Sequence, residues 1–290
     1  MLSIPPNINI DLMETMLSHK GRIRSPVAAG MFYPEDKCEA LDYIHSFCRK
    51  NGNKDMARAI IAPHGAWGIS GALAGAAFSA AGGRSGEISR VVILGPIHDK
   101  REKGLFLSNS HYFLTPLGRI PVDKDISEEF KSSGRFFEIN DIPHLGEHSI
   151  EILLPFVKYH FPDAAIIPIL MGQPDAEVID DLANALKTVL EPIIDNTLLV
   201  VSCNLSSSQD KSKAQFLAEE SLRFFYEKNS YELINAVLEG RINACGGALV
   251  ASLLESGLLD TRTPHFIGKN MVSAVGTEDD TVFYGAVSFD

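Results

Sequence analysis

Two histidines stand just beyond the ends of two apolar segments, and a proline stops each segment. The segments read Arg58-Ala-Ile-Ile-Ala-Pro-His64 and Val91-Val-Ile-Leu-Gly-Pro-Ile-His98. Continuous runs of Val, Ile and Leu are typical of buried parallel strands, and proline cannot continue the hydrogen-bond ladder of a sheet. Ligands of open parallel sheets bind beyond the carboxyl ends of the strands. The pattern therefore predicts either one shared site for His64 and His98, occupied by a metal ion, or two histidines that each serve only their own loop.

A cysteine ahead of a predicted helix offers a third group with metal chemistry. Cys245 is followed by two glycines and by the apolar segment Ala248-Leu-Val-Ala-Ser-Leu-Leu254. The positive end of a helix dipole stabilises negative charge, which lowers the pKa of a thiol and favours the metal-binding thiolate. A free cysteine can equally be a small buried apolar residue. The segment by itself leaves both interpretations open.

A glutamate and a histidine, Glu147 and His148, stand together at the predicted start of a helix over 147–160. Ser149 is a suitable cap for this helix, and Glu151 places negative charge in its first turn. A glutamate beside a histidine can exchange protons with a substrate or can orient a metal ligand. The same residues can also be an ordinary solvated helix start.

Apolar segments alternate with amphipathic segments along most of the chain, and this alternation predicts an α/β fold. Its central sheet should be mostly parallel and covered by helices. Four strands are expected to be neighbours in that sheet, at 58–62, 90–94, 165–170 and 197–203. Further strands are predicted at 105–108, 112–120, 271–275 and 281–288, and helices at 37–49, 71–80, 147–160, 175–190, 213–228, 230–238 and 245–255. We expect residues 24–290 to form a single domain after an N-terminal extension, residues 1–23, which contains a short helix near 12–17.

The composition is that of a globular protein with an acidic surface. The 290 residues are 45% hydrophobic and 22% charged, and the formal net charge is -11. That charge argues against partners such as nucleic acid or an anionic membrane, because both favour a basic surface. No apolar stretch is long enough to span a bilayer, and the first residues lack the features of a signal peptide. Since the 4 cysteines show no Cys-x-x-Cys spacing, we expect free thiols and a cytoplasmic location.

The order and spacing of these segments resemble those of the Memo family over about residues 24–290. The segments that carry the resemblance are Ala62-Pro-His64-Gly65, Leu94-Gly-Pro-Ile-His98, Glu147-His-Ser-Ile-Glu-Ile-Leu-Leu-Pro-Phe156 and Cys245-Gly-Gly247. The resemblance implies a fold similar to the catalytic subunit of class III extradiol dioxygenases, which use non-haem iron to open catechol rings. It also implies that His64, His98 and Cys245 hold one divalent metal ion. The soft thiolate favours iron, copper or zinc over magnesium or calcium.

The chain departs from the family pattern after the strand predicted at 197–203. The family continues with Ser-Asp-Phe-x-His, whereas this chain has Asn204 in place of the aspartate and Ser207 in place of the histidine. Serine has no pKa near 7, so Ser207 cannot act as the acid–base group that a histidine provides in the related dioxygenases. Asp99 replaces a further histidine of the family and is either an additional oxygen ligand or an ordinary loop residue.

Two functional hypotheses of different classes follow. The first is a Memo-like metal-binding protein that acts as a non-haem, metal-dependent redox enzyme. In that enzyme His148 or Glu147 would be the acid–base group. Asn204 and Ser207 would contact the substrate. The second hypothesis is a non-catalytic binding or adaptor module that kept the fold and recognises a peptide or a small molecule.

Overall fold

The computed structural model describes residues 21–48, 56–98, 102–273 and 281–290. The helix predicted near 12–17 and the two interpretations of Asp99 lie outside these residues. Within them, the strands form a large sheet and a small one. The strands are β1 (Ile23–Arg24), β2 (Ala59–Ala62), β3 (Arg90–Pro96), β4 (Leu105–Leu107), β5 (Tyr112–Thr115), β6 (Gly118–Pro121), β7 (Phe137–Ile139), β8 (Ala165–Met171), β9 (Thr197–Ser202), β10 (Ser206–Ser208), β11 (Pro264–Ser273) and β12 (Thr281–Phe289).

The centre of the large sheet is parallel. Its strand order is β10-β12-β2-β9-β3-β8-β4-β7, with β11 also paired to β12. The pairs β2–β9, β9–β3 and β3–β8 all run parallel. Nearly all their residues are buried and most are Val, Ile, Leu or Ala, as expected for strands covered on both faces. The prediction that these four strands are neighbours is confirmed.

Antiparallel pairs lie on both sides of this parallel centre, so the sheet is mixed, and the outermost pair β4–β7 is again parallel. Strand β12 runs antiparallel to β2, β10 and β11, and β4 runs antiparallel to β8. The strand predicted at 271–275 already begins at Pro264. The prediction of one strand at 112–120 is wrong, because a turn at Pro116-Leu117 divides this segment into the hairpin β5–β6, which joins β1 in the small sheet.

Helices cover both faces of the large sheet. The α-helices are α1 (Lys37–Cys48), α2 (Ala72–Ala80), α3 (Lys124–Ser133), α4 (Ile142–Gly146), α5 (Leu154–His160), α6 (Ala176–Leu190), α7 (Lys211–Glu227), α8 (Ser230–Leu238) and α9 (Gly247–Glu255). Core residues of α1, α2 and α5 pack on one face, and those of α3, α6, α7, α8 and α9 pack on the other. Among the described residues, no helix combines the length and the apolar character needed to cross a membrane.

A buried ion pair joins β1 to the segment ahead of α5. Arg24 and Glu151 are 2% and 1% exposed, and their side chains are hydrogen-bonded to each other. The Glu151 carboxylate also accepts the backbone N–H groups of Val27 and Ala28 and the hydroxyl of Tyr33. Each buried charge therefore has a partner, as burial of charge requires.

The guanidinium of Arg24 also fixes the backbone of a chemically important loop. It donates to the carbonyl oxygens of His144 at 3.0 Å and of Glu147 at 2.9 Å. These bonds tie the residues around Glu147 and His148 to β1, more than a hundred residues away in the chain. The loop is thus positioned by tertiary contacts rather than by a helix of its own.

Two largely buried histidines, His144 and His160, make stability depend on pH. Burial lowers the pKa of each to about 4, and His144 Nε2 donates to the carbonyl oxygen of Phe106 at 3.0 Å. A histidine in an unfolded chain titrates near about 6.5. Between these two values the unfolded chain binds protons that the folded chain does not bind, so acidification favours unfolding.

We therefore expect the free energy of unfolding to fall as the pH is lowered from about 6.5 to about 4, by up to about 1.4 kcal/mol per pH unit for each histidine. Denaturant titrations at several pH values measure this slope. The variant His160→Phe should reduce this slope by the contribution of one histidine. The exposed His265, changed to Gln, is the matched control. An unfolding free energy that stays constant over this range would contradict the prediction.

Candidate metal centre

The parallel pairing of β2 with β9 determines where His64 lies. Ala62 pairs with Ser202, so the chain leaving β2 carries His64 over the end of β9. His64 Nδ1 lies 2.7 Å from Ser202 Oγ, and that hydroxyl donates to the carbonyl oxygen of Ser149 at 2.6 Å. Because a hydroxyl has one hydrogen and a carbonyl oxygen only accepts, His64 Nδ1 must be a donor. In the neutral ring, the lone pair is then on Nε2.

The carboxylate of Glu147 binds both the backbone and the ring of His98. It accepts the backbone N–H of His98 at 2.8 Å and the ring Nδ1 of His98 at 3.0 Å. It also accepts the backbone N–H groups of His148 and Ser149, each at 2.8 Å. Burial opposes its charge, but the hydrogen bond and the charge of His98 outweigh burial and lower the pKa of Glu147 to about 2. A carboxylate that is ionised and hydrogen-bonded in this way is suited to orienting His98.

The ring of His98 lies between two negatively charged groups. Burial disfavours its protonated form, but hydrogen bonds with Cys245 and Glu147 outweigh burial and raise the pKa of His98 to about 10. Since Nδ1 faces Glu147, Nε2 is the ring atom that faces the sulfur of Cys245.

The sulfur of Cys245 comes from the residue that directly precedes the N-cap of α9. Its Sγ accepts the backbone N–H of Asn204 at 3.1 Å and lies 3.4 Å from His64 Nε2. A hydrogen bond from the thiol of Cys203 lowers the pKa of Cys245, and His64 and His98 add to this effect and outweigh the opposing effect of burial. The pKa of Cys245 is low, as expected, but the main cause is side chains of other segments and not the start of the helix.

The structure brings His64, His98 and Cys245 together from three distant segments. Their candidate ligand atoms all lie within 4.8 Å of one another. The two imidazole rings meet edge to face, with centroids 5.1 Å apart. A second group, His98, Glu147 and His148, meets the same distance limit. Backbone and ring N–H groups already occupy the carboxylate in that group. The first group is therefore better suited to bind a cation.

His148 lies beside the cluster as a third ring. It stacks on His98 with centroids 4.9 Å apart, and its centroid is 6.0 Å from that of His64. Burial lowers the pKa of His148 to about 4, against the opposing effect of Glu147. Phe32 packs on His148, with centroids 4.9 Å apart. At neutral pH His148 is therefore an uncharged imidazole beside the cluster, and the same low pKa makes it a weak base.

The prediction of a continuous helix from residue 147 is wrong. Glu147 is extended (φ -87°, ψ 132°), a 3-10 turn spans Glu151–Leu153, and α5 begins only at Leu154. Ser149 does not cap a helix, because its hydroxyl donates to the carbonyl oxygen of Pro96 at 2.8 Å, at the end of β3. The physical reason is that Glu147 captures the N–H groups that a helix start would leave free.

Asn204 and Ser207, predicted to contact a substrate, occupy different surroundings. The side-chain oxygen of Asn204 accepts the backbone N–H of His64 at 3.1 Å. The backbone N–H of Asn204 donates to the sulfur of Cys245. Asn204 therefore helps to hold the cluster together. Ser207 lies in β10, where its backbone exchanges hydrogen bonds with the side chain of Asn243.

Three residues that contact the cluster were missed at the level of the sequence: Ser202, Cys203 and Phe32. Ser202 and Cys203 follow the apolar part of β9, and their position at a strand end is a signal that could have found them. Phe32 lies in a turn more than a hundred residues from His148, and no local pattern connects the two.

A cleft of about 410 Å³ opens beside Phe32. Aromatic residues and the carboxylates of Glu35 and Glu39 line it. Phe32 also packs on His148, so this one side chain contacts both the cleft and the ring beside the cluster, although His148 itself does not line the cleft.

The fold and the cluster together define an α/β protein with a His₂Cys group at the carboxyl end of its central parallel strands. The sequence model described as "Memo-like protein" matches residues 24–286. The chain belongs to this family.

Relatives of similar length support the same assignment. A MEMO1 family protein of Thermotoga neapolitana is 32% identical over 256 residues, which cover 83% of this chain and 90% of the relative. A MEMO1 family protein of Nitrosopumilus maritimus is 27% identical over 277 residues, covering 92% and 99% of the two chains. One from Methanobrevibacter smithii is 25% identical over 258 residues, covering 84% and 91%.

Proposed function

We propose that this protein binds one divalent transition-metal ion through His64 Nε2, His98 Nε2 and Cys245 Sγ. The observation that carries the proposal is the convergence of these donors within 4.8 Å. Two imidazoles and a thiolate favour iron, copper or zinc, because harder cations prefer oxygen ligands.

The hydrogen bonds around the three donors fit this role. Ser202 engages Nδ1 of His64, and Glu147 engages Nδ1 of His98, so each ring directs Nε2 toward the sulfur. Metal-binding histidines in proteins almost always have such a partner on the other nitrogen, which fixes the tautomer. Ligands bind metals in their deprotonated forms. The lowered pKa of Cys245 satisfies that condition for the sulfur, whereas the raised pKa of His98 means that metal binding would release a proton from its ring.

We propose redox chemistry on a small molecule as the activity of this site. The bound ion would supply Lewis acidity or a change of oxidation state. His148 would accept and return the proton, since its neutral ring stacks on His98 and is partly exposed. Glu147 would orient His98, because a pKa of about 2 leaves it ionised and without a proton to give.

A second candidate function is ligand recognition without catalysis. The cleft of about 410 Å³ beside Phe32 favours it, since a binding module needs a recess for its ligand. The serine at position 207 is consistent with it, because the acid–base histidine of the family pattern is missing there. A peptide or small molecule would occupy the cleft in this case.

We expect weak or undetectable catechol ring opening by the iron-loaded protein. General acid–base catalysis typically contributes about 10²–10⁴-fold to a rate, and Ser207 offers only a hydroxyl. Oxygen uptake with catechols as substrates measures the activity. The double variant Asn204→Asp/Ser207→His should raise it, whereas Ser208→His, one residue further along β10, is the matched control. Rapid ring opening by the unmodified protein would contradict the prediction.

A further inference from the structure

A second cysteine lies against Cys245. Cys203 follows the last residue of β9 and is fully buried, whereas Cys245 is partly exposed. The sulfur atoms of Cys203 and Cys245 lie 3.3 and 3.8 Å from the same atom, the carbonyl oxygen of Asn204. The two thiols, from segments that are far apart in the chain, therefore share one small volume.

The backbone beside Cys245 is shaped to allow this approach. A Cβ atom at Gly246 would lie 2.7 Å from Cys203 Cβ and 2.5 Å from the carbonyl oxygen of Ser202. Only glycine fits at such distances without a shift of the neighbouring atoms. Gly246 thus lets the segment that carries Cys245 pack directly on Cys203.

The two cysteines differ in exposure. Cys203 is fully buried, whereas Cys245 is partly exposed and is the sulfur that an oxidant from solvent can reach. The buried sulfur of Cys203 lies next to it and is positioned to react with the product.

We propose that Cys245 and Cys203 are a redox-active pair that closes to a disulfide when a peroxide reaches the cluster. Only the consequence for metal binding rests on the proposed function, because a sulfur in a disulfide is no longer a thiolate ligand. The pair would then switch the candidate metal centre between a reduced, binding state and an oxidised, non-binding state.

The reaction balances with hydrogen peroxide as the two-electron oxidant. The thiolate of Cys245 attacks one peroxide oxygen, the O–O bond breaks, and hydroxide leaves, so that Cys245 becomes a sulfenic acid. The sulfur of Cys203 then attacks the sulfur of Cys245, the S–O bond breaks, and a second hydroxide leaves. The hydroxide ions take up the proton of Cys203 and one from solvent. Two thiols are oxidised to one disulfide, and one peroxide is reduced to two waters.

The test uses the chain of 290 residues, stripped of metal with a chelator and treated with one equivalent of hydrogen peroxide. We expect the intact mass to fall by about 2 Da, because disulfide formation removes two hydrogens. Differential alkylation and trypsin should then reveal a link between peptides 188–211 and 242–262. A dithiol reductant should reverse the link. Binding of added Zn²⁺ should be lost on oxidation and should return on reduction.

Two variants separate the proposal from its alternatives. With Cys203→Ser, Cys245 should gain oxygen and no link should form. With Cys38→Ser/Cys48→Ser, the link should form as in the natural chain. Cys203 that stays reduced while Cys245 is converted to sulfinic acid in the natural chain would overturn the proposal. Peptide mapping on metal-free protein tests the cysteine pair separately, because it needs no bound ion. If the link forms on oxidation but the reduced protein does not bind Zn²⁺, the proposed metal centre is wrong and the proposal for the cysteine pair stands.

Discussion

Replacing Glu151 with alanine should lower the free energy of unfolding by about 3–5 kcal/mol, the usual cost of leaving one member of a buried ion pair without its partner. Arg24 would remain charged and 2% exposed. The N–H groups of Val27 and Ala28 and the hydroxyl of Tyr33 would lose their acceptor as well. Denaturant titration followed by circular dichroism measures the change.

The matched control for this variant is Glu219→Ala. Glu219 is exposed and pairs with Lys269 at 3.5 Å on the surface, where ion pairs contribute little. We expect its unfolding midpoint to stay close to that of the natural chain. Equal midpoints for Glu151→Ala and Glu219→Ala would contradict the role assigned to the Arg24–Glu151 pair.

Replacing Glu147 with alanine should weaken metal binding by about 10–100-fold, the usual effect of removing a group that orients a metal ligand. His98 would lose the acceptor of its Nδ1, and the backbone N–H groups of His98, His148 and Ser149 would lose theirs. The imidazole would then no longer be held with Nε2 toward Cys245. Competition against a chromophoric chelator measures the affinity for Zn²⁺.

The control is Glu138→Ala, which removes an exposed glutamate of β7 that contacts Asn140. It should leave the affinity unchanged. Thermal unfolding of both variants in the absence of metal separates loss of fold from loss of binding. A folded Glu147→Ala protein that binds Zn²⁺ as tightly as the natural chain would show that the carboxylate does not orient the ligand.

The sequence was informative where a local pattern and the tertiary structure favour the same conformation. The apolar runs before Pro63 and Pro96 predict buried strands, and β2 and β3 do lie in the parallel centre of the sheet. Both strands deliver a histidine at their carboxyl ends, so the meeting of His64 and His98 follows from topology. Helix α3 was missed, although Asp123 caps it by accepting the N–H of Ile126 at 3.1 Å.

The sequence was misleading where distant contacts override local preference. The segment from Glu147 to Ile150 has the composition of a helix start, but Arg24 binds its backbone and Glu147 binds its N–H groups. No local pattern reveals a partner more than a hundred residues away. In the same way, the contact of Cys203 with Cys245 depends on how β9 meets the segment before α9, which the sequence alone does not specify.

The metal content of protein purified without oxygen is the most direct test of the candidate metal centre. We expect about one iron, copper or zinc ion per chain, bound by the cluster of His64, His98 and Cys245. His98→Ala and Cys245→Ala should reduce the content to background, while Cys38→Ala, at an exposed position, should retain it. Contents that are equal in all four proteins, or a natural chain that neither contains nor binds these ions, would contradict the metal centre.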